Sequence, residues 1–166
     1  AGMQPLRVAV IGAGSHSRQC HGPAIRLAAL RLPHLCRPVA VCDLQMERAE
    51  KFAAEFGFER AYGSCEEMLE KETIDAIFAI TPISATFEIV SRLLPLKIPV
   101  LIEKPAGSTP EEAGRLVSIA RRARTLHMVS FNRRFSPAVA KANVWLSRRH
   151  PQGLPVFITG TMMRHN

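Results

Sequence analysis

Short apolar segments that are typical of buried strands alternate along this chain with segments of helical periodicity. The first apolar segment, residues 7–11, is rich in β-branched side chains and ends at a glycine turn, as strands covered on both faces often do. A helical segment separates each later apolar segment from the one before it. We predict six strands, at residues 7–11, 38–43, 60–62, 76–80, 100–102 and 127–130.

Capping residues, glycines and prolines mark the boundaries of the helices. Gly57 stands where a helix ends in left-handed backbone, and Ser64 and Thr109 each precede a helix whose free amides their hydroxyls can satisfy. Gly22-Pro23 should interrupt the first helix, because proline removes a backbone donor and clashes with the preceding turn. We predict helices at residues 17–30, 45–56, 64–70, 84–94, 109–124 and 136–146.

Strands that alternate with helices form a parallel sheet with helices on both faces. Right-handed connections give an α/β, doubly wound (Rossmann) sheet in the order 3-2-1-4-5-6, which binds ligands at the carboxyl ends of its strands. We assign residues 3–150 to this domain, setting aside Ala1-Gly2 as a tag remnant, and residues 151–166 to a linker and the first strand of a second domain. A strand without a partner cannot satisfy its backbone groups, so we expect the chain to be truncated.

The basic residues are unevenly distributed. Residues 1–112 hold 12 basic and 14 acidic residues, whereas residues 113–166 hold 10 basic residues and no acidic one. A nucleic-acid interface would explain this excess, but aromatic residues make up only 6% of the chain and form no stacking platform. We therefore expect the basic segment to face acidic surface elsewhere in the protein, and we predict no nucleic-acid partner.

The sequence gives no sign of a membrane, a disulfide or a metal. No apolar run approaches the ~18 residues of a membrane span, and no signal peptide is recognisable at the N-terminus. The four cysteines lack Cys-x-x-Cys spacing, which indicates reduced thiols in a cytoplasmic protein. The six histidines are scattered, so we predict no metal site.

A glycine motif follows the first strand. Gly12 permits a tight turn, and Gly14 lets a pyrophosphate approach the backbone at a helix N-terminus, where the amides of Ser15, His16 and Ser17 would bind it. Ser17 replaces the third glycine; it is small enough for close helix–strand packing, and its hydroxyl could itself reach a phosphate. The motif alone is weak evidence, because a plain turn between strand and helix has the same pattern.

Asp43 ends the second strand. A carboxylate at this position can accept hydrogen bonds from both hydroxyls of an adenosine ribose and repels a 2′-phosphate. No basic residue follows before Arg48, so the sequence favours NAD, with NADP as the alternative. The other interpretation of Asp43 is a helix N-cap.

Further candidate residues follow strands four, five and six. Thr81-Pro82 and Glu103-Lys104-Pro105 stand at two strand ends, where Lys104 could orient a hydroxyl or carbonyl and help to move a proton. Residues 132–135 follow strand six and include two arginines. A solvated surface is the alternative for Lys104 and for these arginines.

Taken together and in this order, these motifs resemble the glucose–fructose oxidoreductase / inositol dehydrogenase / MocA (Gfo/Idh/MocA) family over residues 5–163. The resemblance rests on Gly12-x-Gly14, Asp43 with Glu47-Arg48-Ala49, Ile74-Asp75, Thr81-Pro82, Glu103-Lys104-Pro105, the Thr109–Ala113 helix start and Asn132-Arg133-Arg134-Phe135.

The resemblance implies a nicotinamide-dependent enzyme. It implies a larger α+β second domain, hydride transfer at a hydroxyl-bearing carbon of a sugar, cyclitol or related small molecule, and a homo-oligomer when full length. Lys104 would be the catalytic or substrate-orienting lysine and would lie at the nicotinamide end of the cofactor site, which Thr81, Pro82 and Glu103 also shape. A cis Lys104–Pro105 bond is a further expectation.

Three departures separate this chain from the family pattern. Ser17 stands at the third glycine position, and Thr86 replaces a histidine that usually follows Thr-Pro. The family's remaining acid–base residues belong to the second domain, so we expect this chain to bind the cofactor with little or no turnover. The alternatives are a non-catalytic NAD-binding sensor and a methyltransferase, in which Glu103-Lys104-Pro105 would have no role.

Overall fold

A computed structural model describes residues 4–149 and shows one parallel sheet of six strands. The strand order is β3-β2-β1-β4-β5-β6, and each neighbouring pair is parallel. The predicted doubly wound order is therefore confirmed, with every strand boundary within two residues of its predicted position. The strands are β1 (Leu6–Ile11), β2 (Cys36–Cys42), β3 (Arg60–Tyr62), β4 (Ala76–Ala79), β5 (Val100–Ile102) and β6 (His127–Val129).

Helices connect the strands in the predicted alternation. Short π-helical and 3-10 turns at Ser17–His21, Leu94–Leu96 and Asn132–Phe135 supplement them. None of the helices within residues 4–149 is long and apolar enough to cross a membrane. The helices are α1 (Gly22–Arg31), α2 (Met46–Phe56), α3 (Cys65–Lys71), α4 (Ile83–Leu93), α5 (Pro110–Ala123) and α6 (Pro137–Arg149).

The expected break at Gly22-Pro23 takes the form of a change of helix type. The π-helical turn Ser17–His21 ends where α1 begins, and Pro23 lies in the first turn of α1. Proline is tolerated there because the first amides of a helix have no intrahelical acceptor. Gly22 packs against α2 so closely that an added Cβ would lie 2.6 Å from the ring of Phe56.

Two apolar clusters cover the two faces of the sheet. On one face, Val10 and Val41 pack with Ile25 of α1 and Phe52 of α2. On the other face, neighbouring strand residues such as Ala9 pack with side chains of α3, α4 and α5. Alternate strand residues point to opposite faces, which is why one apolar strand can serve both clusters.

The described residues divide into two compact units, with the boundary between Ser130 and Phe131. The first unit contains the whole sheet. In the second, α6 follows the predicted cap, since the amide of Val139 donates to the hydroxyl of Ser136 at 3.4 Å. The predicted domain end at residue 150 and the predicted strand within 151–166 lie outside the described residues.

Candidate functional site

The parallel strands bring most of the predicted site residues to one edge of the sheet. Gly12 directly follows β1, Asp43 follows β2, Thr81 comes two residues after β4, and Glu103 follows β5. Ser130 follows β6 at the same edge. The carboxyl edge of the sheet is where ligands of doubly wound folds bind.

The glycine turn is fixed by its close approach to the end of β4. Gly12 has φ +98°, and an added Cβ would lie 2.1 Å from the carbonyl oxygen of Ile80. Its amide donates to the carbonyl oxygen of Cys42 at 2.8 Å. Gly14 differs, because a Cβ there would meet no atom within 4 Å. The turn is therefore tight at Gly12 and open at Gly14, where a ligand has room to reach the backbone.

Ser17 is fully buried beneath this turn. Its hydroxyl donates a hydrogen bond to the carbonyl oxygen of Gly12. The small side chain thus allows close packing of the turn, as its size suggested. The hydroxyl points into the turn, so its position does not support the expected contact with a phosphate and leaves the backbone amide as the candidate group.

The Asp43 carboxylate joins the glycine turn to the segment before α2. Oδ2 accepts from the amide of Ala13 at 2.8 Å, and Oδ1 accepts from the amide of Gln45 at 2.9 Å. The N-cap of α2 is Gln45, so the N-cap interpretation of Asp43 is wrong. Each carboxylate oxygen has a second acceptor position, which leaves Asp43 able to bind ligand hydroxyls.

Thr86 forms a polar contact where the family pattern has a histidine. Its Oγ1 lies 3.1 Å from Oγ1 of Thr81 and donates to the carbonyl oxygen of Pro82 at 3.1 Å. Thr86 is buried, so these hydrogen bonds stabilise the first turn of α4 on its buried side. Although position 86 is threonine, its side chain hydrogen-bonds to both residues of the Thr81-Pro82 segment.

Glu103 lies at the centre of a cluster that sequence reasoning missed. Its Oε1 lies 2.8 Å from Nε2 of His21 and 3.2 Å from Nε2 of His16. Its Oε2 accepts from the amide of Lys104 at 2.9 Å. The scattered positions of the histidines gave no sign that the fold would bring His16 and His21 to one carboxylate. The prediction of no metal site itself stays a prediction. We call His16, His21 and Glu103 the His–Glu cluster.

The Glu103 carboxyl is held in its ionised form. Burial by itself raises its pKa, but hydrogen bonds from His21, the Lys104 amide, Ser130 and His16 outweigh burial and bring the pKa below its usual value. The carboxyl group therefore remains a negative, oriented acceptor at neutral pH.

Lys104 follows this carboxylate at the end of β5. The Lys104–Pro105 peptide bond is cis, as expected. The Lys104 residue is exposed, whereas Glu103 beside it is buried. The ammonium group is therefore accessible to a small molecule at this edge of the sheet.

A cavity of about 430 Å³ opens beside the glycine turn. This volume falls within the range of small-molecule sites. Three basic side chains line the cavity, of which Arg18 is paired with Glu55 at 2.6 Å and Lys51 with Glu47 at 2.6 Å. The lining residues are Ala13, Gly14, Ser15, Arg18, Gln19, Arg48, Lys51 and Glu55.

The arginine motif after β6 belongs to the second compact unit. Residues Asn132–Phe135 form a 3-10 turn, and the guanidinium of Arg134 lies 5.7 Å from the ring centre of Phe135. This distance is typical of a cation–π contact. Within the unit, the motif therefore has at least one local structural contact.

A doubly wound sheet with a glycine turn and an acid at its carboxyl edge defines the dinucleotide-binding class of α/β domains. This chain belongs to the Gfo/Idh/MocA family: the family profile, described as an oxidoreductase family with an NAD-binding Rossmann fold, matches residues 6–131. The predicted family, fold class and nicotinamide class of cofactor are thereby confirmed.

Several relatives show the range of this similarity. The dTDP-3,4-didehydro-2,6-dideoxy-α-D-glucose 3-reductase of Saccharopolyspora spinosa is 33% identical over 119 residues, or 72% of this chain and 34% of that protein. A solved NAD-binding oxidoreductase from Klebsiella pneumoniae is 29% identical with a TM-score of 0.77, covering 87% of this chain and 39% of that one. A 3-ketoreductase from Actinomadura kijaniata, solved with TDP-benzene and NADP, is 27% identical with a TM-score of 0.75, covering 87% and 44%.

The chain spans about a third of the length of the curated relatives it matches.

Proposed function

We propose that this chain is the cofactor-binding domain of an NAD-dependent oxidoreductase that moves a hydride to or from a hydroxyl-bearing carbon of a sugar, cyclitol or related small molecule. One observation carries the proposal: the glycine turn, the Asp43 carboxylate and Lys104 lie at the carboxyl edge of one parallel sheet. The nicotinamide supplies the redox chemistry when bound, and the protein supplies geometry and charge.

The pyrophosphate fits the open side of the glycine turn. The free space above Gly14 lets phosphate oxygens approach the amides of residues 15–17, at the start of a helical segment. Arg18, Arg48 and Lys51 line the cavity beside the turn. Arg18 and Lys51 are paired with Glu55 and Glu47, so Arg48 contributes most of the positive charge that favours an anionic ligand. Backbone dipoles and side-chain charge therefore support the same ligand.

The adenosine ribose fits Asp43. The amides of Ala13 and Gln45 fix the orientation of the carboxylate, so a ribose hydroxyl meets an acceptor that is already in place. The negative charge of Asp43 disfavours a 2′-phosphate, whereas Arg48 in the neighbouring cavity attracts one. We therefore expect NAD to bind better than NADP, with NADP still accepted.

The nicotinamide end of the cofactor site is assigned to Thr81, Pro82 and Glu103, and Lys104 is assigned to the substrate beside it. Lys104 is exposed beside an ionised carboxylate, which suits a residue that orients a hydroxyl or carbonyl and shares its proton. A sugar-type substrate is supported by relatives such as the deoxyglucose 3-reductase from Saccharopolyspora spinosa. Homo-oligomer formation by the whole protein stays a prediction.

Calorimetric titration with NADH and NADPH tests the cofactor site. The wild-type chain should bind NADH more tightly, and Asp43→Ala should remove that preference. Asp43→Asn separates charge from support of the turn, because asparagine keeps an acceptor for the Ala13 amide and loses the repulsion of a 2′-phosphate. Glu50→Ala, an exposed acid on α2, is the control and should change neither affinity. Failure of both nucleotides to bind at millimolar concentration would contradict the proposal.

Lys104 is tested in the longer protein that carries the substrate domain. Lys104→Ala should lower kcat by about 10²–10⁴-fold, the usual contribution of a positioned proton-transfer group. Dinucleotide affinity should remain near the wild-type value, because Lys104 is assigned to the substrate end. Unchanged turnover would remove Lys104 from the mechanism, whereas a wild-type protein that binds the dinucleotide but turns over no substrate would favour the role of a non-catalytic sensor.

A further inference from the structure

The His–Glu cluster combines a half-exposed histidine with two more enclosed groups. The side chain of His16 is 50% exposed, whereas those of His21 and Glu103 are 12% and 10% exposed. One ligand atom from each residue lies within 4.8 Å of the others. Solvent therefore reaches the cluster mainly through His16, while the other two groups are largely enclosed.

The π-helical turn is what brings the two histidines together. His16 and His21 are five residues apart, a spacing that turns side chains well away from each other on an α-helix. A π-helical turn is wider and closes its hydrogen bond from i to i+5; here the Gly22 amide donates to the Ser17 carbonyl oxygen. The imidazole centres consequently lie 5.4 Å apart. Such π turns are frequent at functional sites.

We propose that His16, His21 and Glu103 form a binding site for a divalent transition-metal ion of the zinc type. Two imidazoles and one carboxylate are a common ligand set for zinc when one coordination position stays open. The set also excludes Mg²⁺ and Ca²⁺ as preferred ions, because those ions favour oxygen ligands throughout. The ligand atoms would be Nε2 of both histidines and an oxygen of Glu103.

The distances require a small adjustment around the ion. Zinc bonds to imidazole and carboxylate are about 2.0–2.2 Å long, so tetrahedral ligand atoms lie roughly 3.4 Å apart. The Glu103 Oε1 is 2.8 Å and 3.2 Å from the two Nε2 atoms, so both distances must widen slightly to admit the ion. The distance between the two imidazoles must also adjust, and the half-exposed side chain of His16 has room to move.

Groups outside the ligand set hold the carboxylate and His21 in place. The Lys104 amide donates to Oε2 of Glu103, which leaves Oε1 directed at the imidazoles. The His21 ring meets the ring of Phe78 edge to face, with centres 6.2 Å apart. Hydrogen-bonded ligands of this kind are typical of metal sites, because outer contacts fix ligand orientation.

Zinc binding by the full chain, measured in competition with a chromophoric chelator and without dinucleotide, tests this proposal. Co²⁺ in place of Zn²⁺ should give the visible absorption bands of a tetrahedral ion. His16→Ala should weaken Zn²⁺ binding by about tenfold or more, since even the loss of an outer contact costs 10–100-fold. His16 is half exposed, so this variant should keep the fold. His21→Asn and Glu103→Gln should weaken binding likewise, with the circular dichroism spectrum as a check of folding.

Two control variants test whether zinc binding depends specifically on the three proposed ligands. His34→Ala removes an exposed histidine outside the cluster, and Cys20→Ser removes the exposed thiol on the same π turn. Both should leave Zn²⁺ affinity unchanged. No zinc binding by the wild-type chain, equal binding by the cluster variants, or loss of binding in Cys20→Ser would each overturn the proposal. Because dinucleotide is absent from the assay, its outcome is independent of the proposed function.

Discussion

At the scale of single residues, the two glycines of the turn after β1 have different roles. Gly12 is required by the fold, since its left-handed backbone and its contact with Ile80 exclude any side chain. Gly14 is not required by packing, because its surroundings are open. The two glycines of the motif therefore have different functions: Gly12 is required by the backbone, and Gly14 leaves space for a ligand.

Substitution by alanine should separate these roles. Gly12→Ala should lower the free energy of unfolding by about 1–3 kcal/mol from backbone strain alone, with the contact to Ile80 adding to the loss. Gly14→Ala should leave stability nearly unchanged and weaken dinucleotide binding instead. Urea denaturation and calorimetric titration measure the two effects. Equal stability losses in the two variants would contradict this division of roles.

At the scale of elements, an ion pair joins the first strand to the approach to the fourth. The guanidinium of Arg7 in β1 donates to both carboxylate oxygens of Asp75, and the Arg7 amide donates to Oδ2, each at 2.8 Å. The side-chain hydrogen bonds from Arg7 lower the pKa of Asp75 to about 2. Residues that are distant in sequence thereby fix the ends of two neighbouring strands.

This pair should make a pH-dependent contribution to stability. The pKa of Asp75 is lower in the folded protein than the ordinary value of 3.8, so the contribution is full above pH 4 and is lost as the pH falls towards 2. Asp75→Asn should cost about 1 kcal/mol at pH 7, because the pair is partly screened by solvent, and less at pH 3. Urea titrations of both proteins at the two pH values measure this, with Glu50→Gln as the control. A difference that grows on acidification would contradict the assignment.

The N-cap of α5 offers a second test at this scale. The hydroxyl of Thr109 accepts from the amide of Glu112 at 3.2 Å, so Thr109→Ala should lower stability by about 1 kcal/mol. Ser118→Ala removes a hydroxyl from the interior of the same helix, where it donates to the Gly114 carbonyl oxygen, and should have little effect or stabilise slightly. Thermal denaturation compares the two. Equal losses would show that the cap has no special role.

At the scale of the whole molecule, stability depends on the apolar layers on both faces of the sheet. Phe52 is fully buried in one of them, with its ring centre 4.6 Å from that of Phe56 and 5.5 Å from that of Phe58. Removal of this ring leaves a cavity that the surrounding side chains fill only in part. The apolar layer of that face therefore contains a group of aromatic rings from α2 and the residues directly after it.

Phe52→Ala should lower the free energy of unfolding by about 3–5 kcal/mol. Phe135→Ala is the matched control, since Phe135 is 70% exposed, and it should change stability by less than about 1 kcal/mol. Urea denaturation followed by circular dichroism measures both losses. A small loss in Phe52→Ala would show that this layer does not limit the stability of the sheet.

Much of the fold followed from local sequence patterns. Runs of β-branched residues, capping hydroxyls and the glycine at position 57 indicated strands and helix ends, because each depends on neighbours within a few residues. The handedness of strand connections then determined the order of the sheet. Gly12, Asp43 and Lys104 were identified as candidate residues for the same reason, since each lies at the end of a predicted strand or within two residues of it.

Other features were decided only by the tertiary structure. Glu103 meets His21 across 82 positions of sequence, a contact that needs the sheet order and a π turn whose register no local pattern showed. The basic cavity likewise combines the glycine turn with α2. Sequence alone determined which residues stand at the ends of strands, because that depends on local preference. Which side chains face one another across those ends was determined by packing between distant segments.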